Sequence, residues 1–162
     1  MEEVSLEKID IVFEKTKPER VVLVTSSDKK KKRPNIITLG WFMRTSFSPA
    51  LVAISVGHTR YSNKLIKRCR EFVVAFPNNK MKDAVLYCGT HSGRDVDKFK
   101  ETKLKPAKGK IVRPPLIKDC VVNLECKLVR TIETGDHSLF VGKIVAAHIN
   151  KGKILLNFGD LA

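Results

Sequence analysis

Residues His58-Thr59-Arg60-Tyr61-Ser62 gather an imidazole, a guanidinium and the hydroxyls of Thr59 and Ser62 where an apolar strand pattern gives way to a helical one. A helix start offers unpaired backbone N–H groups and a partial positive charge. With a cation and hydroxyls added, it becomes a cradle for phosphate. The same residues would equally serve as a polar helix cap, and spacing alone leaves both readings open. A second candidate is the strand-like run Ile36 to Met43 and its exit. Thr38 and Gly40 share one face, and a glycine inside a strand marks close approach of a ligand or of another backbone. Arg44, Thr45 and Ser46 follow before Pro49. A flat aromatic ligand against this face and a barrel corner needing Gly40 are both compatible with the pattern. A third candidate is His137 in the turn Gly135-Asp136-His137-Ser138. Beside an aspartate it could donate a proton, dock a substrate, or simply be a surface histidine. His91 and His148 have no supporting neighbours and read as structural or surface residues.

Several chemistries are absent from the chain. There is no GxGxxG, no GxxxxGK[ST] and no GxSxG, so a Rossmann module, a P-loop and a nucleophile elbow are unsupported. No His and Cys stand at ligand spacing, so no metal site is expected. Cys69, Cys88, Cys120 and Cys126 form no CxxC pair and read as buried, reduced thiols.

The net charge is +14, from 31 Lys plus Arg against 17 Asp plus Glu, which favours an anionic partner such as nucleic acid, a membrane surface or a phosphorylated cofactor. Five cations run from Lys29 to Arg33 and seven more lie between Lys98 and Arg113; both stretches read as solvated loops. The 162 residues suit one domain spanning 1–162, and 43% hydrophobic content is ordinary for a globular chain. No apolar run is long enough to span a bilayer, and the first ten residues lack a signal-peptide pattern. The expectation is a cytoplasmic protein without a membrane partner.

The elements that must position these residues alternate in type. Glu2 to Phe13 fits a leading helix or arm. Val21 to Thr25, Ile36 to Met43 and Leu51 to Ser55 read as three strands, joined closely enough for an antiparallel meander. Ser62 is placed to cap a helix with Leu65, Ile66, Cys69 and Phe72 on its apolar face. Phe72 to Phe76 is a fourth strand, and Asn79 is placed to cap a second helix with Met81, Ala84, Val85 and Cys88 on one face. Gly89 to Phe99 is polar, with room for one more helical turn. Val122, Leu124, Cys126 and Leu128 alternate with Asn123, Glu125 and Lys127, predicting a strand with one wet face. Leu139 to Ile149 returns as its partner, and Ile154 to Phe158 adds a last strand. Strands at both ends with helices between favour a mainly β barrel with helical inserts.

The order of these stretches resembles the flavin reductase-like FMN-binding split barrels, including the flavoredoxin and archaeal ferric reductase branch. The matching segments are Asn35-Ile36-Ile37-Thr38-Leu39-Gly40-Trp41, then Thr45-Ser46-Phe47-Ser48-Pro49-Ala50-Leu51-Val52-Ala53-Ile54-Ser55, then Thr59-Arg60-Tyr61-Ser62 and Glu71-Phe72-Val73-Val74. Ser92-Gly93-Arg94-Asp95-Val96-Asp97-Lys98-Phe99 and Gly135-Asp136-His137-Ser138-Leu139-Phe140-Val141-Gly142 complete the series. The resemblance implies a homodimer with noncovalent FMN near its interface. It implies phosphate contacts from His58, Thr59, Arg60 and Ser62, and a ring edge facing Thr38, Gly40, Thr45 and Ser46. Ser55 stands where some relatives carry a cysteine near the flavin, Arg94 lies in a shared motif, and His137 matches a histidine near the reactive ring face. Relatives often carry Asn where this chain has Ala75. The function so implied is an FMN-dependent oxidoreductase that takes electrons from NADH or NADPH to a small-molecule or protein acceptor. A flavoredoxin-like carrier fed by a protein is the alternative. A basic nucleic-acid-binding module is a third class, disfavoured because no aromatic residues interleave the basic runs.

Overall fold

The computed structural model describes residues 19–28 and 33–156, with positions 7, 13 and 161. The leading segment before residue 19, most of the basic run 29–33, and residues 157–158 of the expected last strand fall outside this range or at isolated positions in it. Among the described residues, nine strands and three helices follow in order. They are β1 (Val22–Asp28), β2 (Arg33–Leu39), β3 (Phe42–Ser46), β4 (Leu51–Gly57), α1 (Tyr61–Cys69), β5 (Glu71–Phe76), α2 (Lys82–Thr90), α3 (Lys98–Thr102), β6 (Pro106–Ala107), β7 (Leu116–Ile117), β8 (Val122–Thr134) and β9 (His137–Ile149).

Seven strands form one antiparallel sheet in the order β2-β1-β5-β8-β9-β4-β3, and β6 pairs with β7 apart from it. The architecture is mainly β with helical inserts, the split barrel expected from the sequence. Alternation along each strand divides the apolar residues between two faces. Val22, Val24, Val52, Ile54, Phe72, Val74 and Phe140 fill the barrel interior. Leu23, Ile36 and Ala75 face the other way, against Met81, Val85 and Cys88 of the α2 segment and Phe99 of α3. Gly142 is required by this packing, because a Cβ there would lie 2.5 Å from Phe72 Cζ. The β8–β9 hairpin turns at Gly135, whose φ of 58° suits the first central position of a two-residue turn. Register shifts at Glu125/Cys126 and Leu128/Arg130 add twist and wrap this long hairpin around the core.

The structure corrects several local expectations. The run Ile36 to Met43 is not one strand: it breaks at Gly40 and Trp41, and Phe42 N–H donates to Gly40 O at 3.0 Å. The bend carries the chain from one edge of the sheet to the other, so β2 and β3 are sequence neighbours that do not pair, and there is no simple meander. Arg60, not Ser62, stands at the cap of α1, and Met81, not Asn79, at that of α2. Lys98 is not solvated but only 4% exposed. Asn123 and Glu125 are buried as well, because residues 107–117 lie over the face of β8 that the pattern left wet. Glu125 accepts the backbone N–H groups of Lys110, Ile111 and Val112, and His148, which lacked a partner in the sequence, donates to it at 2.7 Å. Of the last expected strand, Leu155 bridges to Asn78. All four cysteines are free and buried.

Candidate functional site

A cleft of about 140 Å³ opens where β2, the start of α1 and the segment after α2 meet. Its wall includes Thr59, Arg60 and Ser62 from one side and Arg94 and Lys98 from the other. The sequence accounts for each placement. β4 ends at Gly57, and the chain turns through an Arg60 N–H to Gly57 O hydrogen bond of 3.0 Å into α1. Arg60 takes extended backbone at the cap position, no side chain caps the helix, and no acidic residue stands in its first turn. No side chain therefore offsets the positive end of the helix dipole, and of the first amides Asn63 N–H turns back to Arg60 O at 3.1 Å. Ser62 is held by Asn35, whose Nδ2 donates to its Oγ at 2.8 Å.

The opposite wall depends on one close approach. A Cβ at Gly93 would stand 1.9 Å from Asn35 Oδ1, so only glycine lets this segment lie against β2. Arg33 Nη2 donates to Gly93 O at 3.0 Å, and Arg94 Nη2 to Thr59 O at 3.2 Å. Arg94 also lies over the Tyr61 ring, 5.4 Å from its centroid. The Tyr61 hydroxyl donates to Asp28, and burial first, then Asp28, raises its pKa.

Lys98 was read as part of a solvated run, and it is the residue sequence reasoning missed. Its Nζ donates to Ile36 O and to Cys88 O, both at 2.7 Å. Burial pushes its pKa down and nearby Arg60 adds to that, against an opposing influence from Cys88. Two carbonyls at a strand edge and a helix end keep the ammonium solvated. The only sequence signal was the Asp97-Lys98-Phe99 motif itself, because a lone lysine in a lysine-rich stretch looks like every other.

Among the described residues, the cleft lining contains no carboxylate. Three cations, two hydroxyls and an uncapped helix start make a donor set that fits a phosphate monoester and repels no part of it.

The remaining candidates lie elsewhere. His58 is not in the lining; its Nε2 is 2.8 Å from Glu133 Oε2. Thr38 Oγ1 donates to Val85 O at 2.6 Å, which fastens α2 to β2. A Cβ at Gly40 would meet Glu19 Oε2 at 2.9 Å. Thr45 is exposed and Ser46 half-buried on β3, and Ser55 is half-buried in β4 opposite Leu139. His137 packs against Trp41, ring centroids 4.7 Å apart, and its Nδ1–H donates to Asp136 Oδ1 at 2.6 Å. That contact holds the Asp136 carboxyl below the usual range. Gly57 joins the two regions, because a Cβ there would lie 3.5 Å from His137 Nε2 and 3.6 Å from Arg60 Cγ. The phosphate-type cleft and the Trp41–His137 pair are thus neighbours across one glycine.

Among the described residues, no helix is long and apolar enough to cross a membrane. A family model described as a flavin reductase like domain matches residues 15–160. An uncharacterized protein of Archaeoglobus fulgidus is 43% identical over 135 residues, which is 83% of this chain and 73% of that protein. Among solved structures, the NADH:FAD oxidoreductase of Streptomyces globisporus superimposes with a TM-score of 0.87 at 25% identity, covering 100% of this chain and 95% of that one. The flavoredoxin of Methanosarcina acetivorans gives 0.80 at 30% identity, covering 93% and 77%. With the family model spanning nearly the whole chain, this protein belongs to the flavin reductase-like family.

Proposed function

We propose that the chain binds FMN and works as an NAD(P)H-dependent oxidoreductase of the flavin reductase-like type, in the cytoplasm and as a homodimer. The observation that carries the reading is the carboxylate-free cleft at the uncapped start of α1, with Arg60, Arg94 and Lys98 around it. Bound there, FMN would supply the ring system that accepts hydride and passes electrons to an acceptor. The chain's own part is binding, orientation and proton handling. Thr59, Arg60, Ser62, Arg94 and Lys98 hold the phosphate, and the β2–β3 segment from Thr38 through Gly40 to Thr45 and Ser46 borders the ring. His137 flanks the reacting face, with its Nδ1–H fixed on Asp136 and its Nε2 available for a proton or a nicotinamide amide. Ser55, where a thiol is absent, has no covalent role. Dimerisation is supported by the exposed apolar side chains at edge strand β3, where Trp41, Met43 and Phe47 are 58%, 57% and 82% exposed. Four free, buried cysteines suit a reducing compartment. Likeness to a flavoredoxin favours one second reading, a carrier whose donor is a protein.

The test is Arg60→Ala. A charge-assisted phosphate contact is worth roughly 1.5–3 kcal/mol, so FMN affinity should fall about ten- to hundredfold. Riboflavin, which has no phosphate, should bind the variant as it binds the wild type. Equal losses for both ligands in a fluorescence titration would remove the phosphate role.

A further inference from the structure

His58 precedes the phosphate-type residues yet turns away from the cleft, and what it meets is a carboxylate with three partners. Glu133 Oε2 lies 2.8 Å from His58 Nε2, and Oε1 lies 2.8 Å from Lys67 Nζ of α1. Ser138 Oγ, on β9, donates to Oε2 at 2.9 Å. Ser138 is fully buried, and its Oγ accepts from Asn63 Nδ2 at 3.0 Å. The same Nδ2 donates to Val56 O at 2.8 Å. Lys67 and Ser138 hold the Glu133 carboxyl below the usual carboxylate range, which keeps it ionised for all three partners. The backbone repeats the link: His58 N–H donates to Asp136 O at 2.9 Å, and Gly57 pairs with His137. One side chain near the tip of the β8–β9 hairpin therefore ties together the loop after β4, helix α1 and β9.

We propose that Glu133 is a positioning residue for the cofactor site: through His58, Lys67 and Ser138 it fixes residues 57–60 and the body of α1 against the hairpin that carries His137. The inference rests on the FMN reading above. It gives His58 the role of an anchor in place of a phosphate ligand. It also means that the phosphate cradle and the reacting-face histidine are set relative to each other by one carboxylate.

Charge alone predicts the opposite effect. Glu133 is an anion close to a site for an anion, so neutralising it raises the local positive potential and should tighten FMN. Weaker binding on neutralisation runs against that direct charge effect and points to lost placement. Loosening one charge-assisted contact to the phosphate should cost about tenfold in affinity.

The experiment titrates FMN and riboflavin into wild type, Glu133→Gln, His58→Gln and the double variant. Glu133 is 56% exposed, so the substitution leaves the core intact. FMN affinity should fall about tenfold in Glu133→Gln while riboflavin affinity holds. The double variant should be no worse than Glu133→Gln alone, because His58 acts through Glu133. A merely structural carboxylate would lower the melting temperature and leave the ratio of the two affinities unmoved. That result, or unchanged or tighter FMN binding, overturns the proposal. So do additive losses, which would make His58 a direct phosphate ligand. If the wild type itself binds FMN no better than riboflavin, the phosphate reading fails first and takes this inference with it.

Discussion

Glu125→Gln should loosen the segment over β8 and do so in a pH-dependent way. Glu125 is fully buried. Its Oε1 accepts from Lys110 N–H at 2.8 Å and from His148 at 2.7 Å, and its Oε2 from Ile111 and Val112 N–H at 2.7 and 2.8 Å. A carboxylate accepts at both ends, whereas an amide accepts at one and donates at the other. Whichever way Gln is turned, at least one backbone N–H faces another donor, at a cost of about 1–3 kcal/mol. The ionisation of Glu125 bounds the same quantity. Burial by itself would raise its pKa, but the Val112 amide, then His148 and the Lys110 and Ile111 amides, bring it from 4.5 down to about 2. A drop of that size corresponds to at most about 3 kcal/mol, and screening through the solvent-facing His148 reduces it to about 1–2 kcal/mol. Because the folded pKa lies below the unfolded one, this stability is complete above about pH 4.5 and is lost as the pH falls towards 2. Urea unfolding at pH 7 should therefore find the variant less stable by about 1–3 kcal/mol, with the gap closing below pH 4. Hydrogen exchange should speed up at Lys110, Ile111 and Val112. A gap of equal size at pH 7 and pH 3, or none at pH 7, would refute the reasoning.

Three further expectations follow from the site and its frame. His137→Ala should leave FMN affinity unchanged and slow flavin reduction by NAD(P)H by about 10²–10⁴-fold; equal stopped-flow rates would make His137 a structural turn residue. Gly93→Ala puts a methyl 1.9 Å from Asn35 Oδ1, so Asn35 must release Ser62. The melting temperature should drop by the equivalent of about 1–3 kcal/mol and FMN should bind more weakly, and an unchanged melt would show that the two segments separate freely. Phe47→Glu, at a side chain 82% exposed, should convert a dimer at micromolar concentration to monomer in sedimentation; a wild type already monomeric would remove the dimer from the reading.

What the sequence made legible was local. Helix starts, alternation and turns act over a few residues, so the phosphate-type residues Thr59, Arg60 and Ser62, the hairpin turn at Gly135 and the apolar faces of both main helices were within reach. What it hid depends on contacts far along the chain. Asn123 and Glu125 alternate as a wet face should, and they are dry because residues 107–117 close over them; Asn123 is taken up by Ile117, and Glu125 by three amides about fifteen residues upstream. Lys98 looked like one cation among seven, and its burial depends on Ile36, 62 positions away. The break at Gly40 was visible as a glycine within a strand pattern, but its consequence, sending β2 and β3 to opposite edges, is a property of the whole sheet.

Those two edges differ in their exposure to aggregation. An open sheet can be extended by a foreign strand at either rim, through unpaired backbone groups. At the β2 rim, Lys98 already occupies the Ile36 carbonyl, and α2 and α3 pack alongside. At the β3 rim, among the described residues, β3 pairs with β4 alone, and Met43 and Phe47 stand exposed beside it. Among the described residues, strand addition is thus blocked on one side and open on the other. Whatever covers β3, an ordered partner or a misfolded neighbour at high expression, decides whether the chain stays dispersed. A lysine in place of the exposed Met43 would guard that rim, at the expense of the dimer proposed to form there.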